Sequence, residues 1–143
     1  MSTALTRRSA RHPGRSWLRR APLAALFVTT GTLHFVTPEP FVSIVPESLP
    51  APLALVYASG VAEMAGGLGL LSRRTARPAG WWLIATLLAI FPANIGMALN
   101  PERHPSIPEA LLWLRLPLQV VLIVWIHRVA VRGPRGVGSA RRR

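Results

Sequence analysis

The chain has no cysteine, no lysine and no aspartate. Without cysteine it supplies no disulfide, no thiolate nucleophile and no sulfur-ligated metal. Acidic residues are scarce as well: five glutamates stand against seventeen arginines, for a net charge of +12. Arginine without lysine is the composition expected of a GC-rich bacterial genome. Charged residues make up only 15 % of the 143 positions and apolar ones 50 %, with a mean hydropathy of +0.35. That balance is membrane-like, and the length is that of one domain. No phosphate-binding glycine loop, dinucleotide fingerprint or Ser-His-Asp set is present. His34 and Glu63 alone are too few to hold a metal. One histidine well inside an apolar run, with His127 at the opposite end, argues against haem. No catalytic set emerges, so no enzymatic activity of the chain by itself is expected. A pI near 12.0 would suit nucleic acid, but the arginines sit in tails and one short loop beside apolar runs, without an aromatic-interleaved surface. Topology and anionic headgroups explain them better.

What the chain does have is four apolar segments. The centre of the pattern is the run from Leu53 to Leu71, long enough to cross a ~30 Å hydrocarbon core. Glu63 stands near its middle. On a helix it shares a face with Ser59, Gly60, Gly66 and Gly67, small residues that let a neighbouring helix approach closely. A mid-membrane carboxylate is costly unless paired or protonated. It reads either as a functional group or as a structural ion pair that locks the bundle.

Residues 1–20 form a basic arm expected to be disordered. Arg7-Arg8 resembles a twin-arginine export signal, but Ser9, Ala10 and Arg11 follow where hydrophobic residues are needed. No A-x-A cleavage site follows the apolar start, so the first segment, about 22–36, reads as an uncleaved helix. Thr30, Gly31 and His34 share one of its faces. Residues 37–52 carry five prolines and predict an ordered loop with one apolar turn near Phe41–Val45, lying at the membrane interface. The second helix is 53–71, and Ser72–Pro78 a short basic loop. The third helix is about 79–99, entered at Trp81 and Trp82. Pro92 should kink it and free the carbonyl near Leu88. The fourth is about 110–129, with Arg115 and Gln119 one turn apart, and residues 131–143 form a basic tail expected to be disordered. Arginine counts of six, none, three, one and six across arm, loops and tail place both termini and the 72–78 loop in the cytoplasm. The expected fold is therefore an all-α, multi-pass four-helix bundle in a bacterial inner membrane.

Counted at about 1.5 Å per residue from the outer helix ends, His34 falls at roughly 5 Å, Arg115 at roughly 8 Å, Asn94 at roughly 9 Å, Gln119 at roughly 14 Å and Glu63 at roughly 16 Å. Each helix contributes a polar group to the outer half. The expectation is that Arg115 forks onto Glu63, that Asn94 and Gln119 supply hydrogen bonds and that His34 sits above them, the five lining a small pocket.

At Gly31-Thr32-Leu33-His34-Phe35 with the following Pro-Glu-Pro, Ser59-Gly60-Val61-Ala62-Glu63 with Gly66-Gly67, Phe91-Pro92-Ala93-Asn94 with Met97-Ala98, and Arg115-Leu116-Pro117-Leu118-Gln119, the chain resembles the DoxX-like (DoxX/DoxD) family of small four-helix bacterial membrane proteins. The resemblance covers residues about 21–130. It implies an accessory subunit of respiratory or sulfur-compound redox working with quinone or quinol, or a partner of oxidative-stress enzymes. Three functions are expected in descending order: an accessory subunit with a quinone- or lipid-like ligand, a ligand-free assembly scaffold, and a small transporter. The implied partners are the bilayer, its anionic headgroups at the arginine-rich tails, and a redox-enzyme subunit.

Overall fold

The structure, a computed structural model, describes residues 17–105 and 107–132. Most of the expected disordered arm and tail therefore lies outside the described residues. All regular structure among the described residues is helical. In chain order it comprises α1 (Ala21–Val36), α2 (Glu39–Val42), α3 (Pro52–Leu71), α4 (Ala76–Leu99), a 3-10 turn (Pro101–Arg103) and α5 (Glu109–Ile126), which runs on as a π turn over His127–Val131. Three of these are long and apolar enough to cross a membrane: α3, α4 and the Glu109–Val131 run; α1 is apolar but only 16 residues long.

Several boundaries depart from expectation. Trp17–Arg20 is not part of a loose arm: it forms a turn in which the Arg20 amide bonds the Trp17 carbonyl at 2.9 Å. The Arg20 side chain is buried and donates to the Ser72 carbonyl at 3.2 Å. That carbonyl caps the end of α3, where a cation complements the exposed carbonyls and the helix dipole. Burial first, and then the neighbouring Arg73, lower the affinity of this guanidinium for its proton. The α4 helix starts earlier than its apolar pattern and takes in Arg77 and Pro78, because a proline in the first turn forfeits no helical hydrogen bond.

The helices run antiparallel in chain order, α1 on α3, α3 on α4 and α4 on α5. The α1–α3 seam is set by glycine. A Cβ at Gly60 would stand 2.7 Å from the His34 Cβ and 2.9 Å from the Gly31 carbonyl, and one at Gly67 would stand 3.0 Å from the Ala24 carbonyl. The two backbones therefore touch, as small residues at a helix seam allow. On its other side α3 packs Gly66 on Leu83 and Gly69 on Ala79 of α4.

These contacts fix a register in which Phe35 stacks on Tyr57 at 5.0 Å. The C-terminus of α1 is thus level with Tyr57, and α3 begins about 7 Å further out. The proline-rich loop fills that step with α2, which lies against α3. Ala51, wedged between Pro50 and Pro52, takes φ 52° to turn the chain into α3.

The apolar core has two parts. At one end Leu23, Phe27, Leu70, Leu83, Leu87, Ile126 and Ala130 pack together. At the other, Met97, Ala98 and Leu112 pack with Ile44 and Ile107. The first end carries Arg19, Arg20, Arg73, Arg74, Arg77, Arg128 and Arg132. The second carries α2 with Glu39, Glu47, Glu102, Glu109 and Arg103.

Candidate functional site

The polar residues of the helices fall into two clusters, one on each side of the bundle. The first lies on α1 and α3. Thr30 Oγ1 is 2.6 Å from Glu63 Oε2, and His34 Nε2 is 4.0 Å from Glu63 Oε1. Both titratable residues are buried, His34 at 5 % and Glu63 at 7 % exposure. Thr30 and His34 are one turn apart on the α1 face that meets α3, so helix periodicity alone delivers both to Glu63.

The neighbours define where protons sit. His34 Nδ1 lies 2.8 Å from the Thr30 carbonyl. A carbonyl only accepts, so Nδ1 carries a hydrogen, which leaves Nε2 as the ring nitrogen facing Glu63. Phe41 of α2 stacks on the imidazole with centroids 3.9 Å apart and planes 24° apart. Thr30 has one hydroxyl hydrogen and three acceptors in reach: the Glu63 carboxyl, the Leu26 carbonyl at 3.1 Å and the Phe27 carbonyl at 3.3 Å.

Two complete arrangements follow. An ionised Glu63 accepts from Thr30. A protonated Glu63 donates to Thr30, whose own hydrogen then turns to the Leu26 carbonyl. Thr30 can therefore satisfy the Glu63 carboxyl with or without its proton. Trp82 of α4 adds an indole N–H to the Ala62 carbonyl at 3.0 Å, beside Glu63. Trp82 thus tethers α4 to α3.

The second cluster lies on α4 and α5. Asn94 Nδ2 donates to Gln119 Oε1 at 2.7 Å, and Gln119 Nε2 donates to the Leu87 carbonyl. The backbone acceptor was expected near Leu88, four residues before Pro92; the one taken is its neighbour, in the turn that the proline loosens. Arg115 is exposed and donates to Met97 Sδ at 3.7 Å. Among the described residues no buried side-chain nitrogen or oxygen lacks a partner.

Of the five residues proposed to meet, His34 and Glu63 do, Asn94 and Gln119 do, and Arg115 joins neither pair. The expected Arg115–Glu63 fork is not formed: Glu63 is held by Thr30 and His34 instead. The reason is the packing order. The α5 helix joins the bundle chiefly through α4, so its polar face meets α4 and not α3. His34 also lies deeper than roughly 5 Å, because α1 ends below the start of α3 and counting from each helix end misses that offset. Thr30 and Phe41 complete the site although neither was among the five. For Thr30 the signal was present in its i, i+4 relation to His34; Phe41 depends on how the loop folds back. Among the described residues no group of three or more His, Asp or Glu side chains could hold a metal ion.

The fold and site define a helical protein with membrane-length apolar helices and polar side chains packed between them. The chain belongs to the family described as Domain of unknown function (DUF8561), whose model matches residues 23–130. No curated protein and no solved structure matches it.

Proposed function

We propose that this protein is a multi-pass protein of a bacterial cytoplasmic membrane, a four-helix transmembrane bundle with both termini in the cytoplasm. It acts as an accessory subunit in redox or oxidative-stress chemistry, and its His34–Glu63–Thr30 site gives a proton to, or takes one from, a quinone-like ligand whose electrons come from or go to the partner redox subunit. The arginines gathered at one end support the orientation through the positive-inside rule. The same cations suit anionic headgroups of the inner leaflet. The short α1 is completed as a crossing by α2 and the loop above it. The resemblance to DoxX-like proteins supports the quinone and the redox partner subunit.

The observation that carries the reading is the His34 Nε2 standing 4.0 Å from a buried carboxyl. Histidine and glutamate in low dielectric together make a proton carrier that a ligand hydroxyl or carbonyl could address. The test is infrared difference spectroscopy of the protein in proteoliposomes, titrated in pH with and without a ubiquinone analogue. A protonated-carboxyl band that shifts on quinone addition and vanishes in Glu63→Gln supports the reading. A band insensitive to both pH and quinone sinks it.

The second reading is a ligand-free scaffold, favoured by the complete hydrogen bonding of every buried polar side chain among the described residues. It predicts co-purification of a stoichiometric partner and no bound small molecule.

A further inference from the structure

Arg115 has no role in the proton site, yet it is the one cation inside the apolar stretch of α5. Its Cα lies six residues past the helix start at Glu109, about 9 Å along the axis. Leu111, Leu114 and Leu118 around it are all exposed. A guanidinium held at that depth against acyl chains is costly. Helical side chains lean toward the N-terminus, which for α5 is the α2 end, so the side chain climbs toward that surface.

Met97 marks where it arrives. The sulfur that accepts from Arg115 belongs to a residue two positions before the end of α4 at Leu99. The charge therefore sits within about one helical turn of the rim, where the membrane reading puts lipid phosphates. Met97 is itself buried in the small core with Ala98 and Leu112, so protein closes one side of the guanidinium and the other is exposed.

Its acceptor is a thioether, the weakest available, and it uses one of five donors. Two carboxylates at this end are engaged elsewhere: Glu47 pairs with Arg103 at 3.2 Å, and Glu109 accepts from the Trp113 indole at 3.4 Å. A phosphodiester matches the planar fork in charge, geometry and depth, and the exposed leucines beside it suit acyl chains.

We propose that Arg115, steadied by Met97, forms a headgroup site on the α4–α5 face that holds the phosphate of one phospholipid from the leaflet at the α2 end. This rests on the membrane reading above, but not on the proton site. The test uses full-length protein in nanodiscs of phosphatidylethanolamine and phosphatidylglycerol, extracted into mild detergent and weighed by native mass spectrometry. One retained phospholipid per chain is expected. Occupancy should fall roughly tenfold in Arg115→Gln, partially in Arg115→Lys, and not at all in Arg103→Gln. Added inorganic phosphate should fail to displace it.

Equal retention by wild type and Arg115→Gln overturns the proposal, as does displacement by inorganic phosphate. So does a wild-type dimer that Arg115→Gln dissociates without lipid, since the arginine would then meet a second copy. If Arg115→Gln does not fold, Arg115→Lys decides: unchanged occupancy is against the site. Failure to enter nanodiscs at all would remove the membrane reading with it, whereas incorporation without retained lipid removes only the headgroup site.

Discussion

The two sides of the bundle solve one problem differently. Each must bring polar side chains into an apolar interior and leave none unsatisfied. The α1–α3 side uses glycine contact and ionisable groups. Its backbones touch at Gly31 and Gly60, and His34, Glu63 and Thr30 sit in the seam. The α4–α5 side uses neutral amides around a proline: Asn94 and Gln119 bond each other, and Gln119 takes a carbonyl in the turn before Pro92. Amides have fixed donors and acceptors, so their network has one arrangement. The carboxyl–hydroxyl–imidazole network has two. Freedom to rearrange lies on the first side and a single fixed pattern on the second.

This contrast can be broken most forcefully at the glycines. Gly60→Ala should cost about 2 kcal/mol, since its Cβ would meet His34 and a backbone carbonyl. At Gly96 a Cβ would find nothing within 4 Å. Alanine there should be neutral or stabilising by up to ~1 kcal/mol. Unfolding in mixed micelles measures both, and equal effects would mean the α1–α3 seam is not specially tight. Next in size is Gln119→Leu, expected to lose about 1–2 kcal/mol by stranding Asn94 and the Leu87 carbonyl. A double-mutant cycle with Asn94→Ala should show a coupling of about 0.5–1.5 kcal/mol.

Glu63→Gln should change stability by less, about 0.5 kcal/mol, because the amide still bonds Thr30. It should nevertheless erase the pH-dependent carboxyl signal that every Gln119 variant keeps. The smallest test is Ala51→Gly. Relief of its left-handed backbone, largely offset by the greater freedom glycine gives the unfolded chain, should stabilise the protein by only about 0.3 kcal/mol, read as a small rise in thermal midpoint, with no change in the carboxyl signal.

The amino-acid sequence by itself determined the apolar segments, their breaks at proline clusters, the glycine face around Glu63 and the crowding of arginine at alternate connections. All of these are local, carried by composition and helical period. It also put Thr30 and His34 on one face, one turn apart. Only the tertiary structure decided which polar groups meet. Partner choice depends on which helices are neighbours and how far they slide past each other, and neither is written in any one segment. A step of about 7 Å between the ends of α1 and α3 carries His34 down to Glu63, and the position of α4 keeps Arg115 away from it. Helix length sets how far a residue stands from its own helix end; only packing sets how far it stands from another helix.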